Sequence, residues 1–299
     1  MRAPVLFALG LTVSACSPSG GPSIGDPCSL DEPCDEGVCN LSGGAAPVCI
    51  DANGDIDSDG LPNKSDFCNQ KMGGAFDEDG DGLGDDCDAC PIAPPPAQAE
   101  TDGDGVDTPC DPDPTVGGNK IILFEGFNGT LPASWIKDGA WEVRGGEAVF
   151  TAAAATKEST LVAPIASSSR HLAVQASYRI NRVDTGATQS SAGVTSDTRI
   201  QIGNTPVTCS GSRAGGMDSL YVSTTVESKT KPFDNLFDTA GLYRIAQLID
   251  NATGACALST GAQEGAISAA TKGEVPTHAG LSALGVDARF QYLLLVQRP

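Results

Sequence analysis

Three twelve-residue windows of this sequence place acidic residues at the same four positions. The windows cover residues 55–66, 77–88 and 100–111, and each has Gly at position 6 and Leu or Val at position 7. Proteins bind Ca²⁺ through six to eight oxygen atoms, and loops with this spacing supply carboxylates at positions 1, 3, 5 and 12 and a backbone carbonyl at position 7. Gly at position 6 allows the sharp turn that directs these oxygens to one centre. The pattern therefore predicts several Ca²⁺ ions as the cofactor of this chain.

A solvated acidic linker is the alternative interpretation of these windows. A merely Asp-rich stretch would not keep Gly at position 6 in three windows of nearly equal spacing, so we favour calcium binding. Position 12 is Asp throughout, where helix-flanked calcium loops prefer a bidentate Glu. The candidate metal-binding residues are Asp55, Asp57, Asp59, Leu61, Asp66, Asp77, Asp79, Asp81, Leu83, Asp85, Asp88, Glu100, Asp102, Asp104, Val106 and Asp111.

The segments that follow the windows argue against the helix-flanked families of calcium loops. Pro and Gly are frequent there, as in ACPIAPPPAQA after Asp88 and PDPTVGG after Asp111, and they prevent helices of useful length. An EF-hand needs such helices, and so does a dockerin. Short acidic loops joined by Cys and Pro instead resemble the thrombospondin type 3 repeat, over about residues 51–113. The resemblance implies a string of Ca²⁺ ions with almost no hydrophobic core, and the third window departs from it with Glu100 at position 1.

The same resemblance implies two disulfide bridges within the repeat segment. In that family a cysteine just after one loop pairs with a cysteine inside the next, which gives Cys68–Cys87 and Cys90–Cys110. A zinc site at Cys87-x-x-Cys90 is the rival interpretation, but no second CxxC and no His pair lies near it. Disulfides are also expected of an exported chain. We therefore expect structural bridges here.

The N-terminal residues predict export and lipid anchoring. A short apolar run that is too short to span a bilayer follows Arg2 and ends in small residues, which is typical of a signal peptide. The residues Val13-Ser14-Ala15-Cys16 resemble the bacterial lipoprotein box, which implies lipid attachment at Cys16; ordinary cleavage after Ala15 is the alternative. Setting Cys16 aside leaves ten of the eleven cysteines, an even number that can all pair. Ser17 fits an outer-membrane lipoprotein of the bacterial cell envelope, surface-exposed or secreted.

Composition divides the rest of the chain. A Ser/Pro/Gly tether leads to a small module that has too few residues for a hydrophobic core. Disulfides must therefore hold this module together, and its four cysteines allow three pairings.

The net charge of the chain is −20, yet residues 119–299 hold equal numbers of acids and bases, so the acidity is concentrated before residue 119. No basic face exists to neutralise phosphates, which excludes nucleic acid as a partner. The predicted domains are a signal peptide (1–15), a lipid-anchored tether (16–27), a module with Cys28, Cys34, Cys39 and Cys49 (28–50), calcium repeats (51–118) and a C-terminal domain (119–299).

The C-terminal domain is predicted to be an all-β antiparallel sandwich. Residues 171–181 alternate between apolar and polar side chains, which predicts a strand with one buried and one wet face. The opening ILFEGFNGTLPASW and the closing FQYLLLVQ resemble concanavalin A-like (laminin G-like) jelly rolls, in which the first and last strands pair. Cys209 and Cys256 are expected to form a bridge. Further strands are predicted at 121–127, 147–150, 160–165, 199–202, 220–226, 242–249 and 290–296.

The sequence indicates binding rather than catalysis. No hydrolase, metalloprotease or nucleotide-binding motif occurs, and the acids of the C-terminal domain are scattered singly, without the close carboxylate pair of a retaining glycosidase. His171 is expected to face solvent on a strand and His278 to lie in a loop. Trp135 and Trp141 are either packing residues or a sugar-stacking platform. We expect a calcium-binding surface lipoprotein whose C-terminal domain, displayed on a calcium-stiffened stalk, serves in adhesion or binds a glycan or a protein. The alternatives are a tethered glycan-degrading enzyme and a purely structural envelope component.

Overall fold

The computed structural model describes residues 20–42, 46–95, 99–151, 157–166, 169–197, 207–273 and 275–299. The chain forms two compact units, Met1–Ala75 and Phe76–Pro299. The boundary falls inside the predicted repeat segment, so the first calcium window belongs to one unit and the other two windows share a unit with the C-terminal strands. The predicted signal peptide and Cys16 lie outside the described residues. In the part of the chain that is described, no helix is long and apolar enough to cross a membrane.

The first unit has little regular structure. It contains a hairpin of β1 (Val38–Asn40) and β2 (Val48–Ile50) and one turn of 3₁₀ helix, Asn63–Ser65. Two disulfides cross-link the small module, Cys28–Cys39 and Cys34–Cys49, which selects one of the three pairings that the sequence allowed. A two-stranded hairpin is marginal by itself in water, so these bridges supply much of the order of this module.

The second unit is a sandwich of two antiparallel sheets, which confirms the predicted fold class. One sheet has the strand order β12-β11-β10-β9-β16-β7-β4 and the other β15-β14-β13-β8-β17-β6-β5. In the second sheet the first strand, β3, also pairs with the last, β17, as expected. The strands are β3 (Lys120–Glu125), β4 (Ile136–Asp138), β5 (Trp141–Val143), β6 (Ala148–Phe150), β7 (Ser159–Pro164), β8 (Leu172–Val183), β9 (Gln189–Asp197), β10 (Val207–Ala214), β11 (Met217–Ser223), β12 (Ser228–Pro232), β13 (Tyr243–Ile249), β14 (Thr253–Ser259), β15 (Glu264–Ala270), β16 (His278–Leu284) and β17 (Val286–Gln297).

Sequence patterns identified the strands with large apolar residues and missed others. The strands β14 and β15 (TGACALS and EGAISAA) consist mostly of Ala, Gly and Ser, which have low strand propensity. The expectation for His278 was wrong, because it begins β16 instead of lying in a loop. The strand predicted at 199–202 lies outside the described residues.

The core between the sheets is built on aromatic residues and one disulfide. The ring of Tyr178 lies 5.2 Å from the rings of both Tyr243 and Phe290, and Trp141 lies 5.7 Å from Phe290. Trp141 is buried, and Trp135 packs against the same core. The two tryptophans are therefore packing residues, and the alternative of an exposed sugar-stacking platform was wrong.

The bridge Cys209–Cys256 joins β10 of the seven-stranded sheet to β14 of the eight-stranded sheet. Its two cysteines are fully buried in the core cluster. The bridge therefore links the two layers covalently at the level of their packed side chains, which limits the ways in which the sheets can separate during unfolding.

The outer face of the eight-stranded sheet is only partly exposed to solvent. Leu294 and Val296 on this face pack against Val106 and the Cys90–Cys110 bridge of the repeat segment. The Nε2 atom of Gln175 donates a hydrogen bond to the backbone carbonyl of Cys110, at 2.9 Å. The prediction that one face of the strand at 171–181 is wet was therefore wrong for its first half. The expectation that the repeat segment has almost no hydrophobic core was also wrong around Val106 and the Cys90–Cys110 bridge. The sheet supplies the apolar side chains against which they pack.

We predict that Leu294→Ala lowers the free energy of unfolding of the second unit by about 2–5 kcal/mol, because it opens a cavity beneath the repeat segment. Met217→Ala is the matched control in the same unit, since Met217 is 74% exposed, and it should change the free energy by less than about 0.5 kcal/mol. Denaturant titration measures both. Equal, small effects would show that the repeat segment does not cover this face.

Candidate metal centre

Each of the three windows brings its first three acids to one point. One carboxylate oxygen from each acid lies within 4.8 Å of the corresponding oxygens of the other two. The first acid of each window is exposed or partly buried, and the next two are partly buried. The three clusters are Asp55, Asp57 and Asp59; Asp77, Asp79 and Asp81; and Glu100, Asp102 and Asp104.

The first acid of each window holds the backbone of the turn. In the first window the backbone N–H groups of Ser58 and Gly60 donate to the two carboxylate oxygens of Asp55, at 2.8 and 3.1 Å. Gly80 and Gly82 donate in the same way to Asp77 at 2.8 and 2.9 Å, and the third window repeats the arrangement. In the third window the backbone N–H groups of Gly103 and Gly105 donate to the carboxylate of Glu100, and so does the backbone N–H of Asp102. These three hydrogen bonds lower the pKa of Glu100.

Two positions of each turn, not one, adopt a left-handed backbone. Position 6 is Gly in every window, as the sequence indicated. Position 4 also has a positive φ, and it is Gly in the second and third windows but Ser58 in the first, with φ of 65°. Position 4 was not predicted from the sequence, although the first Gly in DEDGDG and ETDGDG was a visible signal for it.

The acid at position 12 is buried in every window. The Oδ1 atom of Asp66 accepts the N–H of Cys68 at 2.7 Å, and Oδ1 of Asp111 accepts the N–H of Asp113 at 2.7 Å. Burial raises the pKa of Asp66, and repulsion from the carboxylates of its own window adds to the rise. Burial and repulsion from Asp104 raise the pKa of Asp111 in the same way. In the second window, Oδ1 of Asp88 accepts the N–H of Cys90 at 2.9 Å.

Several carboxylate oxygens of the windows are buried without a hydrogen-bond donor among the described residues. They include Oδ2 of Asp66 and Asp111, and Oδ2 of Asp57 and Asp79 at position 3. A buried carboxylate oxygen without a partner costs a substantial part of its hydration free energy. A cation within the cluster would supply the missing partner. The donor set of hard anionic oxygens, without nitrogen or thiolate, fits Ca²⁺ rather than a transition metal.

Buried asparagines that the sequence analysis did not single out support two of the windows. The Oδ1 atom of Asn63 accepts the N–H of Ile56 at 3.1 Å, and its Nδ2 donates to the carbonyl of Asp51 at 2.7 Å. Asn119 lies beyond the third window, where its N–H donates to Asp104 at 2.7 Å and its Nδ2 to Asp111 at 2.9 Å. No spacing rule in the sequence pointed to these amides, because their roles depend on how the chain folds back.

The remaining candidate ligands occupy different environments. The Oδ1 atom of Asp85 accepts a hydrogen bond from the backbone N–H of Glu78 at 2.8 Å. Burial, together with repulsion from Glu78, raises the pKa of Asp85 to about 7. The position-7 residues Leu61 and Val106 have their N–H groups bound by the acid at position 5, at 2.7 and 2.9 Å. Leu83 repeats this contact at 2.8 Å. These hydrogen bonds hold the backbone amide at position 7 in a fixed orientation. The backbone carbonyl of the same residue is the ligand that the sequence pattern predicts at this position.

The cysteines of the repeat segment do not offer thiolates to a metal. Cys90 is bonded to Cys110, which is the pairing that the resemblance implied. Cys68 and Cys87 are each disulfide-bonded as well. The zinc interpretation of Cys87-x-x-Cys90 therefore fails, because zinc is bound by deprotonated thiolates.

Scattered acids of the sandwich serve as partners for basic residues on neighbouring strands and turns. The ion pairs join side chains that are far apart in sequence as well as close neighbours, and they include Arg182–Asp287 at 2.8 Å, Arg213–Asp218 at 2.6 Å and Arg289–Glu147 at 2.9 Å. His171, just before β8, lies with its Nε2 atom 3.3 Å from Oδ1 of Asp250 and 2.9 Å from Nδ2 of Asn251. These contacts fasten strands and turns.

No protein-family model matches this chain, and no curated protein matches it. Among solved structures it is similar to a GH43 protein, BlXynB, from Bacillus licheniformis, at 15% identity and a TM-score of 0.43, over 58% of this chain but 39% of that one. It is also similar to the CBM2 module of the evolved Dit of Lactobacillus casei BL23 phage J-1, at 11% identity and a TM-score of 0.43, over 60% of this chain and 96% of that one. A third similar structure is lectin II from Ulex europaeus, at 12% identity and a TM-score of 0.43, over 60% of this chain and 100% of that one. Likenesses at these TM-scores give no basis for assigning a function.

We predict that pH affects the stability of the second unit in opposite directions with and without calcium. Burial raises the pKa values of Asp79, Asp85 and Asp111 above their ordinary values. The calcium-free folded form therefore binds protons more tightly than the unfolded form, and its stability should rise as the pH falls from about 8 to about 5. With saturating calcium the stability should fall over the same range, because protons compete with the ion.

Thermal melting in calcium-free and calcium-containing buffers at each pH measures the two slopes. Slopes of the same sign would contradict the prediction, since they would show that calcium does not act on these carboxylates.

Proposed function

We propose that this chain is an extracellular calcium-binding protein that holds one Ca²⁺ ion in each of the windows 55–66, 77–88 and 100–111. The observation that carries the proposal is the repetition of one geometry in three places. In each window the acids at positions 1, 3 and 5 converge, the first acid fixes the same turn, and the acid at position 12 is buried. Carboxylates brought this close repel one another, so the arrangement is favourable only with a cation among them.

Each residue type has a distinct part in holding the ion. The acids at positions 1, 3, 5 and 12 would supply carboxylate oxygens, and Leu61, Leu83 and Val106 would supply backbone carbonyls. The bound ion supplies positive charge that offsets the mutual repulsion of the carboxylates. The disulfides and the buried amides Asn63 and Asn119 limit the freedom of the loops before the ion binds, which lowers the entropy that binding must overcome.

The setting supports an extracellular role. Disulfides persist in oxidising compartments, and calcium loops of extracellular modules bind with dissociation constants of about 10⁻⁴–10⁻³ M. At such affinities the windows would be loaded in a calcium-rich medium and empty in a calcium-poor one. We further propose export by the N-terminal signal peptide and lipid anchoring of Cys16 at the outer membrane, with the sandwich as an adhesion or binding module for a glycan or a protein.

Calcium would act on the two units differently. The first window belongs to the unit Met1–Ala75. The third window carries Val106 and Cys110 in the cluster that packs on the outer face of the sheet. Loss of the ion from the third window should therefore weaken the sandwich, whereas loss from the first window should leave the sandwich intact.

Paired double variants test both the sites and this difference. Asp57→Asn with Asp59→Asn, and Asp102→Asn with Asp104→Asn, remove charge while keeping side-chain size. Calorimetric titration of the full chain with its disulfides formed should give three ions for the wild type and two for each variant. The third-window variant should lower the melting temperature of the second unit in calcium, and the first-window variant should not.

Asp234→Asn is the matched control, because Asp234 is an exposed acid of the second unit outside the windows. It should keep three ions and the wild-type melting temperature. Absence of binding up to ~10 mM Ca²⁺, above the range of weak extracellular modules, would overturn the proposed function. Equal effects of the two double variants on the second unit would overturn the assigned difference between the windows.

A further inference from the structure

A cleft of about 1000 Å³ lies within the second unit, between the outer face of the eight-stranded sheet and the segment of the second calcium window. Its volume is at the upper end of the range for small-molecule sites, about 300–1,000 Å³. One wall carries Glu78 and Asp79 of the second window, with Pro94 and Pro109 of the repeat segment. The floor is formed by side chains of β8, β13, β14, β15 and β17.

The floor consists of two rows of side chains that run across the strands. In one row Ala246 lies opposite Ala257, which lies opposite Ala266. These small side chains keep this part of the floor low and apolar. The neighbouring row is polar and aligns Tyr292, Ser177, Arg244, Ser259 and Glu264 from β17 to β15.

Arg244 and Tyr292 both belong to the polar row, with Ser177 of β8 between them. Arg244 is exposed, and among the described residues no carboxylate lies within ion-pair distance of its guanidinium. Burial raises the pKa of Tyr292 to about 12, and the nearby charge of Arg244 opposes this rise. The Tyr292 hydroxyl is therefore a protonated donor, and it makes no hydrogen bond to another described residue. A guanidinium and a hydroxyl in one row of the same cleft are donors of the kind that bind a carboxylate.

The polar groups around this pair offer both donors and acceptors. Ser177 Oγ donates to Oε1 of Gln291 at 2.6 Å, which leaves the amide N–H groups of Gln291 for a ligand. Gln175 and Ser259 line the same cleft. A sugar ring has hydroxyls around its edge and an apolar face of C–H groups, which match the polar row and the alanine row respectively.

An extended peptide fits this floor less well. Peptides that join a sheet do so by pairing with an unpaired strand edge. The strands β8, β13 and β14 are each paired on both sides, so their backbone groups are already satisfied.

Calcium in the second window would control the charge of this cleft. Asp79 both lines the cleft and belongs to the acid cluster of that window. Without a cation, Glu78 and Asp79 repel an anionic ligand; with Ca²⁺ bound, the wall becomes less negative and this repulsion is weakened.

We propose that this cleft binds an acidic saccharide, with its carboxylate on Arg244 and Tyr292, its hydroxyls on the polar row and its ring face on the alanine row, and that Ca²⁺ in the second window strengthens this binding. The calcium dependence rests on the proposed function. Because coupling between two binding sites is reciprocal, the saccharide must also tighten calcium binding by the same factor.

The test is a titration of the full chain with the trimer of galacturonic acid in excess calcium, by calorimetry, after the calcium titration itself has been recorded. We expect a dissociation constant below about 1 mM. The methyl ester of the same trimer, which is neutral, should bind at least about tenfold more weakly, as expected for loss of a charged hydrogen bond. Calcium-free protein should show a similar loss.

The matched variants are Arg244→Gln and Arg179→Gln, since both arginines are exposed residues of the same sheet and only the former lines the cleft. Arg244→Gln should lose about tenfold or more in affinity for the trimer, and Tyr292→Phe should lose several-fold. Arg179→Gln should bind as the wild type does. All three variants should bind calcium with wild-type stoichiometry.

Normal calcium binding without trimer binding up to ~10 mM would overturn the saccharide proposal and leave the proposed function standing. Failure of calcium binding would overturn the proposed function first. Equal binding of the trimer and its ester, or equal effects of the two arginine substitutions, would overturn the placement of the carboxylate on Arg244 and Tyr292. Tri-glutamate that binds as tightly as the trimer would identify a site for acidic peptides and overturn the saccharide assignment.

Discussion

Mutual repulsion among clustered carboxylates is the constraint on which the rest of this molecule depends. Residues 51–113 carry 18 acids and two bases, and the fold brings these acids together instead of spreading them apart. The buried Oδ2 atoms of Asp66 and Asp111 have no donor among the described residues. In water such charges would separate, because each unit charge within 4 Å of another costs about 1 kcal/mol even at high dielectric. A bound cation reverses the sign of this term, and the turns, disulfides and asparagines then hold one compact arrangement.

The second and third windows extend this constraint to the sandwich. Val106 and the Cys90–Cys110 bridge pack on Leu294 and Val296, on a sheet face that would otherwise expose apolar side chains. Burial of that face favours folding, while repulsion within the windows opposes it until calcium binds. Under the proposed function, the stability of the sheet would therefore depend on calcium concentration by mass action. The charge of the cleft beside the second window would depend on calcium in the same way, because Asp79 belongs to both.

The repeat windows and the fold class could be predicted from sequence because each follows from local rules. Fixed Asp and Gly positions defined the loops, and alternation in β8 with the closing FQYLLLVQ defined a sandwich whose first and last strands pair. The cover on the outer sheet face could not be predicted, because it depends on where Val106 and Cys110 lie after folding. Strands of Ala, Gly and Ser such as β15 were missed because these small residues have low strand propensity and give little periodic signal.

The most direct test of the central claim is a crystal structure of the full chain grown in calcium, with anomalous diffraction to locate the ions. The account predicts three calcium peaks, one in each window. Each ion should be coordinated by the acids at positions 1, 3, 5 and 12 and the carbonyl at position 7, at about 2.3–2.6 Å. The buried oxygens of Asp66 and Asp111 should be among the ligands. Windows that keep their carboxylates clustered in saturating calcium without anomalous density would contradict it.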